Sequence, residues 1–420
     1  MQHSEHYDTI VIGGGASGMM AAGVLAMRGK KVLILEKNRK IGEKLGITGG
    51  GRCNITNAEY DIHAMLDNYG AAKPFLYSPF SQFGVESTFK FFEDRKLPIV
   101  VEARKRAFPK SQKATDVVKV MHKFASGKET KPFGNVTIKT GHPVTKMMTA
   151  DGKITGVKSH RETFTADTYV LSVGGASRPE TGSTGDGFKW LADIGHTVKT
   201  PSPNIVPLRV SDRWVNKLSG TSLSFMKITF FCDGTREFSK EGKVLFTHFG
   251  LSGPLILNSA REVGELLKSG VVTATIDCYP DTDLGALDKK ILKIFDENKN
   301  RDFKNILSEI TPIGLSEVLI DLKVVADPNV KVHSISKEDR KKIVHILKAL
   351  PLTVDGLMGM DRAVVSDGGV ILEEVDTKTM RSKVFPNLFF TGDILNINRP
   401  SGGFSLQLCW TTGWVAGQNA

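Results

Sequence analysis

The chain has 420 residues, a net charge of +11, 40% hydrophobic and 24% charged residues. That balance fits two or three ordinary globular domains and argues against long disordered stretches. Four widely spaced cysteines (Cys53, Cys232, Cys278, Cys409) form no CxxC pair, which excludes a cysteine metal cluster, a thioredoxin-type redox pair and a secreted disulfide framework.

The apolar stretch Thr9–Ile12 runs straight into glycines, unlike a signal peptide, and no segment approaches the ~18 uninterrupted apolar residues of a membrane span. The densest basic stretch, Arg104-Lys105-Arg106 with Lys110 and Lys113, is short and has few aromatic neighbours. The expectation is a cytoplasmic protein with no membrane, nucleic-acid or metal partner.

Tyr7–Ile12 is a β-branched apolar run, predicted as a buried parallel strand. Gly13-Gly14-Gly15 makes a turn, Ser17–Arg28 a helix, and Lys31–Leu35 a second strand ending at Glu36. Segment 46–54 is too rich in glycine for regular structure, and residues 60–125 carry helical spacing and charge. Val136–Lys139, Val144–Met148, Ile154–Ser159 and Glu162–Thr165 alternate, predicting an antiparallel meander with a turn at Asp151-Gly152. Tyr169–Val173 reads as a buried strand ending in Gly174-Gly175.

Residues 205–280 read as mostly β and 284–350 as helical. Strands follow at Ala363–Val365, Val370–Leu372 and Leu388–Thr391, then a helix at Ser405–Gly417. The predicted fold class is α/β: a Rossmann-type nucleotide-binding domain from residues 1–195 and 355–420. A β-rich, barrel-like insertion (196–282 and 325–354) and a small helical one (283–324) interrupt it.

Gly13-x-Gly15-x-x-Gly18 follows a strand, opens a helix and precedes a second strand ending in an acid, Glu36. That context is the dinucleotide fingerprint: a tight turn, backbone approach to a pyrophosphate, close helix–strand packing, and an acid for the ribose hydroxyls. Ser17, Lys37 and Val144 are grouped with this grip. Residues 388–404 form an apolar strand ending in Gly392-Asp393, then a glycine-rich loop to a helix. Asp393 is expected at a ribityl hydroxyl or a phosphate, and the Gly402-Gly403-Phe404 backbone at the flavin pyrimidine edge.

The whole sequence resembles the bacterial BaiN/YhiN-like flavoprotein family, which includes proteins described as aminoacetone oxidases and bile-acid enone reductases. The most specific blocks are Thr48-Gly49-Gly50-Gly51-Arg52-Cys53-Asn54-Ile55-Thr56-Asn57 and Thr247-His248-Phe249-Gly250-Leu251-Ser252-Gly253-Pro254. Ala107–Ala114, Gly182-Ser183-Thr184-Gly185-Asp186-Gly187 and Thr379-Met380-Arg381-Ser382-Lys383 support them in the same order. The resemblance implies FAD, a two-dinucleotide-binding type of flavin domain and an active site between the flavin domain and its insertions.

It also implies that segment 46–54 passes the flavin, with Gly49, Gly50 and Gly51 against the ring and Arg52 and Asn54 reaching phosphate or ring heteroatoms. The chain departs from the family pattern at Asn396, Asn398 and Arg399, where many relatives carry Asp residues and a small residue.

Hydride transfer at flavin N5 needs positioning and one proton donor or acceptor. His248, in a Gly/Ser-rich turn, is the acid/base candidate. Arg399 is the candidate anchor for a carboxylate or carbonyl substrate, and Arg178 a weaker one. Cys53 lacks a resolving partner and is expected to be a small buried residue.

The function expected is an FAD-dependent oxidoreductase acting on a small organic substrate, with NAD(P)H or oxygen as redox partner. No second GxGxxG is present for a separate nicotinamide domain. The alternative from another class is a non-catalytic flavin- or nucleotide-binding scaffold.

Overall fold

A computed structural model describes residues 5–129 and 135–420. The chain divides into two compact units, Met1–Pro203 with Ala363–Ala420, and Asn204–Arg362.

The first unit is built on a seven-stranded sheet. His6–Ile12 pairs in parallel with Val32–Glu36 on one side and with Glu162–Leu171 on the other. Val32–Glu36 is buried at every position, as a strand covered on both faces requires. Val136–Thr140 adds a parallel strand beyond Val32–Glu36, and Leu388–Phe390 pairs in parallel with residues 169–171. Helices Ala16–Met27 and Phe404–Asn419 pack closely because glycines lie at the contact. A Cβ on Gly413 would come within 2.5 Å of Ser17 O, and one on Gly417 within 2.7 Å of Val24 Cβ.

Four expectations change here. Val136–Thr140 is a parallel edge strand of the main sheet, so the meander holds only Val144–Ala150, Lys153–Ser159 and Glu162–Leu171. Glu162–Thr165 and Tyr169–Val173 belong to one strand, whose first half pairs with Lys153–Ser159 and whose second half joins the parallel sheet. Within 60–125, helices Ile62–Asp67, Lys73–Gln82, Val85–Asp94 and Ala114–Ala125 are interrupted by a small antiparallel sheet. That sheet pairs Ile99–Glu102 with Arg106–Pro109 and the latter with Thr56–Asn57. The two strands expected near 363 and 370 are one, Val365–Val370, paired with Val198–Asn204.

The second unit is a closed barrel of six strands in the order Leu208–Val210, Gly250–Ser252, Thr235–Thr247, Ser222–Cys232, Val272–Asp277, Leu350–Leu357. Closure removes the unpaired strand edges. Alternate residues such as Ile228, Phe230, Val244, Phe246, Ala274 and Leu352 fill its interior. Helices Leu284–Glu297 and Lys337–Lys348 pack around a separate core that includes Leu287, Ile291, Phe303 and Ile343.

Candidate functional site at the strand ends of the first unit

The chain leaves His6–Ile12 through Gly13, at φ 100°, where a Cβ would stand 2.5 Å from Ser172 O. A Cβ on Gly18 would stand 2.0 Å from Gly13 O, so helix Ala16–Met27 lies directly on the turn. Gly15 differs: the nearest atom to its Cβ position is 4.0 Å away, leaving the backbone open to a ligand. Met19 N–H makes the helix's first bond, to Gly15 O at 2.9 Å, and the N–H groups ahead of it have no helix carbonyl.

Glu36 braces this turn. Its carboxylate accepts the Gly14 and Asn38 N–H groups, each at 2.8 Å. Burial pushes its pKa up, against the pull of those two bonds. The segment carrying Val144 is laced to the same strand end, because His142 N–H donates to Glu36 O and Gly141 N–H to Asn38 O. Val144 itself is buried, and Lys37 Nζ donates to Thr184 Oγ1 at 2.6 Å and Asp186 Oδ2 at 2.9 Å.

The C-terminal segment meets this turn from the other side. Thr391 Oγ1 donates to Ser17 Oγ at 3.0 Å, and Gly392 N–H to Thr412 Oγ1 at 2.9 Å. Gly174 and Gly175 close in tightly: their Cβ positions lie 2.8 Å from Ser183 Oγ and 2.2 Å from Ser366 Oγ. Gly403 caps helix Phe404–Asn419 at φ 105°, with a Cβ position 2.3 Å from the Thr56 carbonyl carbon. Asn57 Nδ2 donates to Gly402 O at 3.1 Å. The Phe404 ring is core: it is buried edge-on against Tyr69, whose hydroxyl donates to Phe404 O.

Arg399 departs from the expected open anchor. It is only 3% exposed. Its guanidinium pairs with Asp393 and donates to Ile397 O at 2.7 Å and Ser405 Oγ at 3.0 Å. It therefore clamps the loop from Asp393 to Ser405.

Segment 46–54 is partly regular, unlike the expectation. A helix begins at Glu43 and breaks at Thr48, after which Gly49, Gly50 and Gly51 all have positive φ. Gly50 and Gly51 are exposed, with nothing within 4 Å of their Cβ positions. Arg52 is drawn aside: it donates to Gln112 Oε1 at 2.6 Å, pairs with Glu102 and lies over the Phe108 ring. Asn54 Oδ1 is buried with no hydrogen-bond partner among the described residues. Cys53 and Cys409 are pushed up to about 12 by burial, which removes the reactive thiolate at neutral pH.

One charged side chain went unnoticed in the sequence. Lys44, from the helix that begins at Glu43, donates to Ser177 Oγ at 3.1 Å, and burial lowers its pKa. No motif flagged it, because its partner is distant in sequence. Arg178, at φ 53°, stands 3.7 Å from Glu180. In the second unit, His248 is exposed at the two-residue turn between Thr235–Thr247 and Gly250–Ser252, its ring edge-on to Phe249.

The glycine-rich turn, the strand-end acid, the second glycine loop at the start of helix Phe404–Asn419 and the inserted barrel define a flavoprotein oxidoreductase of the dinucleotide-binding type. The chain belongs to the family described as HI0933-like protein Rossmann domain, which matches residues 7–419.

It is 27% identical to the 3-dehydro-bile acid delta(4,6)-reductase of Clostridium scindens, over 98% of both chains. It is 26% identical to the ribosomal RNA dihydrouridine synthase of Haemophilus influenzae, again over 98% of both. Among solved structures, a flavocytochrome c3 fumarate reductase aligns with TM-score 0.52 and 15% identity, over 99% of this chain and 78% of that one. The 3-ketosteroid delta1-dehydrogenase of Sterolibacterium denitrificans aligns with TM-score 0.51 and 15% identity, over 98% and 99%. No helix among the described residues is long and apolar enough to cross a membrane.

Proposed function

We propose that the protein uses FAD to reduce a carbon–carbon double bond conjugated to a carbonyl group, with NAD(P)H as electron donor. One observation carries this reading. Two helix N-termini, the open Gly50–Gly51 pair and Asn54 Oδ1, unpaired among the described residues, all belong to the carboxyl-end side of one parallel sheet. That set of donors, open backbone and an orphaned acceptor suits a long anionic dinucleotide ending in a polar ring.

The substrate class comes from what the relatives' names share. A delta(4,6) bile-acid reductase and a dihydrouridine synthase both saturate a C=C bond conjugated to a carbonyl. Bound FAD, once reduced, supplies the hydride for the β-carbon of that bond.

The chain's residues do the rest. The Gly13–Gly18 turn and Ser17 hold the diphosphate, and Glu36 offers the ribose its remaining lone pairs, with Lys37 and Val144 alongside. Gly49, Gly50, Gly51 and Asn54 line the ring, with Arg52 behind them; Gly174, Gly175, Gly392, Asp393, Gly402 and Gly403 hold the ribityl chain and ring edge. Arg399 fixes Asp393, and His248, on the second unit, is the acid/base candidate for the α-carbon proton.

The test is anaerobic reduction by NADH or NADPH, followed by reoxidation with an enone, with uridine-containing RNA or with oxygen. Reduction by one nicotinamide and reoxidation by the enone or the RNA is expected. His248→Gln should slow that reoxidation by about 100-fold at unchanged flavin content. Reoxidation by oxygen alone would make the protein an oxidase and sink the reductase reading.

A cup of Lys96, Lys110 and Lys119 with Ser111 on the first unit favours uridine in RNA as a second substrate reading.

A further inference from the structure

The cations around the strand ends are almost all matched. Lys37 pairs with Asp186, Arg52 with Glu102, Arg178 with Glu180 and Arg399 with Asp393. Lys44 is the exception. Its Nζ makes one hydrogen bond among the described residues, to Ser177 Oγ at 3.1 Å. That hydroxyl is buried and donates onward to Val364 O at 3.2 Å. Asp393, Glu180, Arg399 and Cys409 are the other groups whose charges reach Lys44, and none of them is hydrogen-bonded to it. The Asp393 carboxylate is already held by Arg399.

An ammonium withdrawn from water onto a neutral hydroxyl is unfavourable unless an anion joins it. The fold says which anion is near. Gly42 N–H donates to Gly14 O at 2.9 Å, and the Ile41 side chain covers Gly14, so the segment leading to Lys44 is tied to the phosphate turn. The helix carrying Lys44 begins one residue later, at Glu43. From the opposite side, Gly392, the neighbour of Asp393, lies so close that a Cβ on it would stand 2.9 Å from Ser17 Oγ, in the first turn of helix Ala16–Met27, and 3.4 Å from Cys409 Sγ. Lys44 therefore stands beside the helix N-terminus that faces the anion.

We propose that the Lys44 ammonium is the built-in counter-charge for the diphosphate of FAD, so that until the cofactor binds the protein holds a part-buried cation with no anion hydrogen-bonded to it among the described residues. This rests on the FAD reading above. The hydrogen bond that Lys44 forms on binding is charge-assisted at both ends, the strongest ordinary kind.

The test uses the full chain stripped of flavin, with calorimetric titration by FAD and by ADP, which carries the diphosphate without the ring. Lys44→Met should weaken both ligands by about tenfold or more and flatten the salt dependence of binding. It should also raise the melting temperature of the flavin-free protein, because an unpaired charge has gone. Lys44→Arg should retain most of the affinity.

Unchanged ADP binding by Lys44→Met would overturn the proposal. So would a lower melting temperature or a failure to fold, since the lysine would then be structural. A shifted flavin midpoint potential with ADP affinity intact would assign the charge to the ring and overturn it equally. If the wild-type protein binds neither FAD nor ADP, the cofactor reading itself fails and takes this proposal with it.

Discussion

At the scale of single residues, Arg399 changes meaning most between sequence and structure. A planar cation in a glycine-rich loop suggested a substrate anchor, but its guanidinium is buried on Asp393, Ile397 and Ser405. All three partners lie within six residues, yet only the folded loop turns them inward, so no local pattern announced them. A buried ion pair adds little over an apolar isostere, but deleting one partner strands the other. Arg399→Met should therefore cost about 3–5 kcal/mol in denaturant unfolding, and adding Asp393→Asn should recover most of it. A substrate anchor would instead raise KM with stability intact, so a loss under about 1 kcal/mol would return Arg399 to that role. Glu36 was legible because its partner Gly14 belongs to the same βαβ unit, whereas Lys44 was not, because Ser177 lies 133 residues away.

At the scale of elements, strongly buried strands and helices were readable and edges were not. His6–Ile12 and Val32–Glu36 sit inside the sheet and showed through their apolar runs, Ile10–Ile12 and Val32–Leu35. Val136–Thr140 has one neighbour and is only part-buried, so it alternates like a meander strand. The four-residue strand Ile99–Glu102 was lost in helical charge patterns because its side chains are also only part-buried. The glycines separate into two kinds that the sequence could not tell apart. Gly18 has no room for a Cβ, whereas Gly50 has open space but a left-handed backbone at φ 67°. Gly18→Ala should destabilise the first unit by about 1–3 kcal/mol through overpacking. Gly50→Ala should cost roughly 1 kcal/mol of backbone strain, and on the proposed site its larger effect should be weaker FAD retention. Paired thermal melts and flavin-release assays separate the two; a Gly50→Ala protein that keeps FAD at wild-type strength would remove the run from the cofactor site.

At the scale of the whole molecule, charge discriminates between the two conjugated carbonyls that the proposed reductase would take, a small enone and uridine in RNA. A small enone has no use for a net charge of +11, whereas a polyanion gains affinity from each lysine it neutralises. Arg104, Lys105 and Arg106 looked like a short solvated stretch in the sequence, and Lys105 does pair with Glu59. Folding adds what the linear order concealed: Lys96, in the turn after helix Val85–Asp94, and Lys119, in helix Ala114–Ala125, line one cup with Lys110, and among the described residues only Lys119 is held by a carboxylate, Asp116. Reversing Lys96 and Lys110, Lys96→Glu with Lys110→Glu, should weaken RNA binding and reduce its log–log salt slope by roughly 1.5. The same variant should reduce with NAD(P)H and reoxidise with an enone at the wild-type rate, because neither lysine belongs to the strand-end site. If RNA binding and its salt slope are unchanged, the cup is not a phosphate footprint, and a small enone becomes the substrate of choice on charge grounds as well as on similarity.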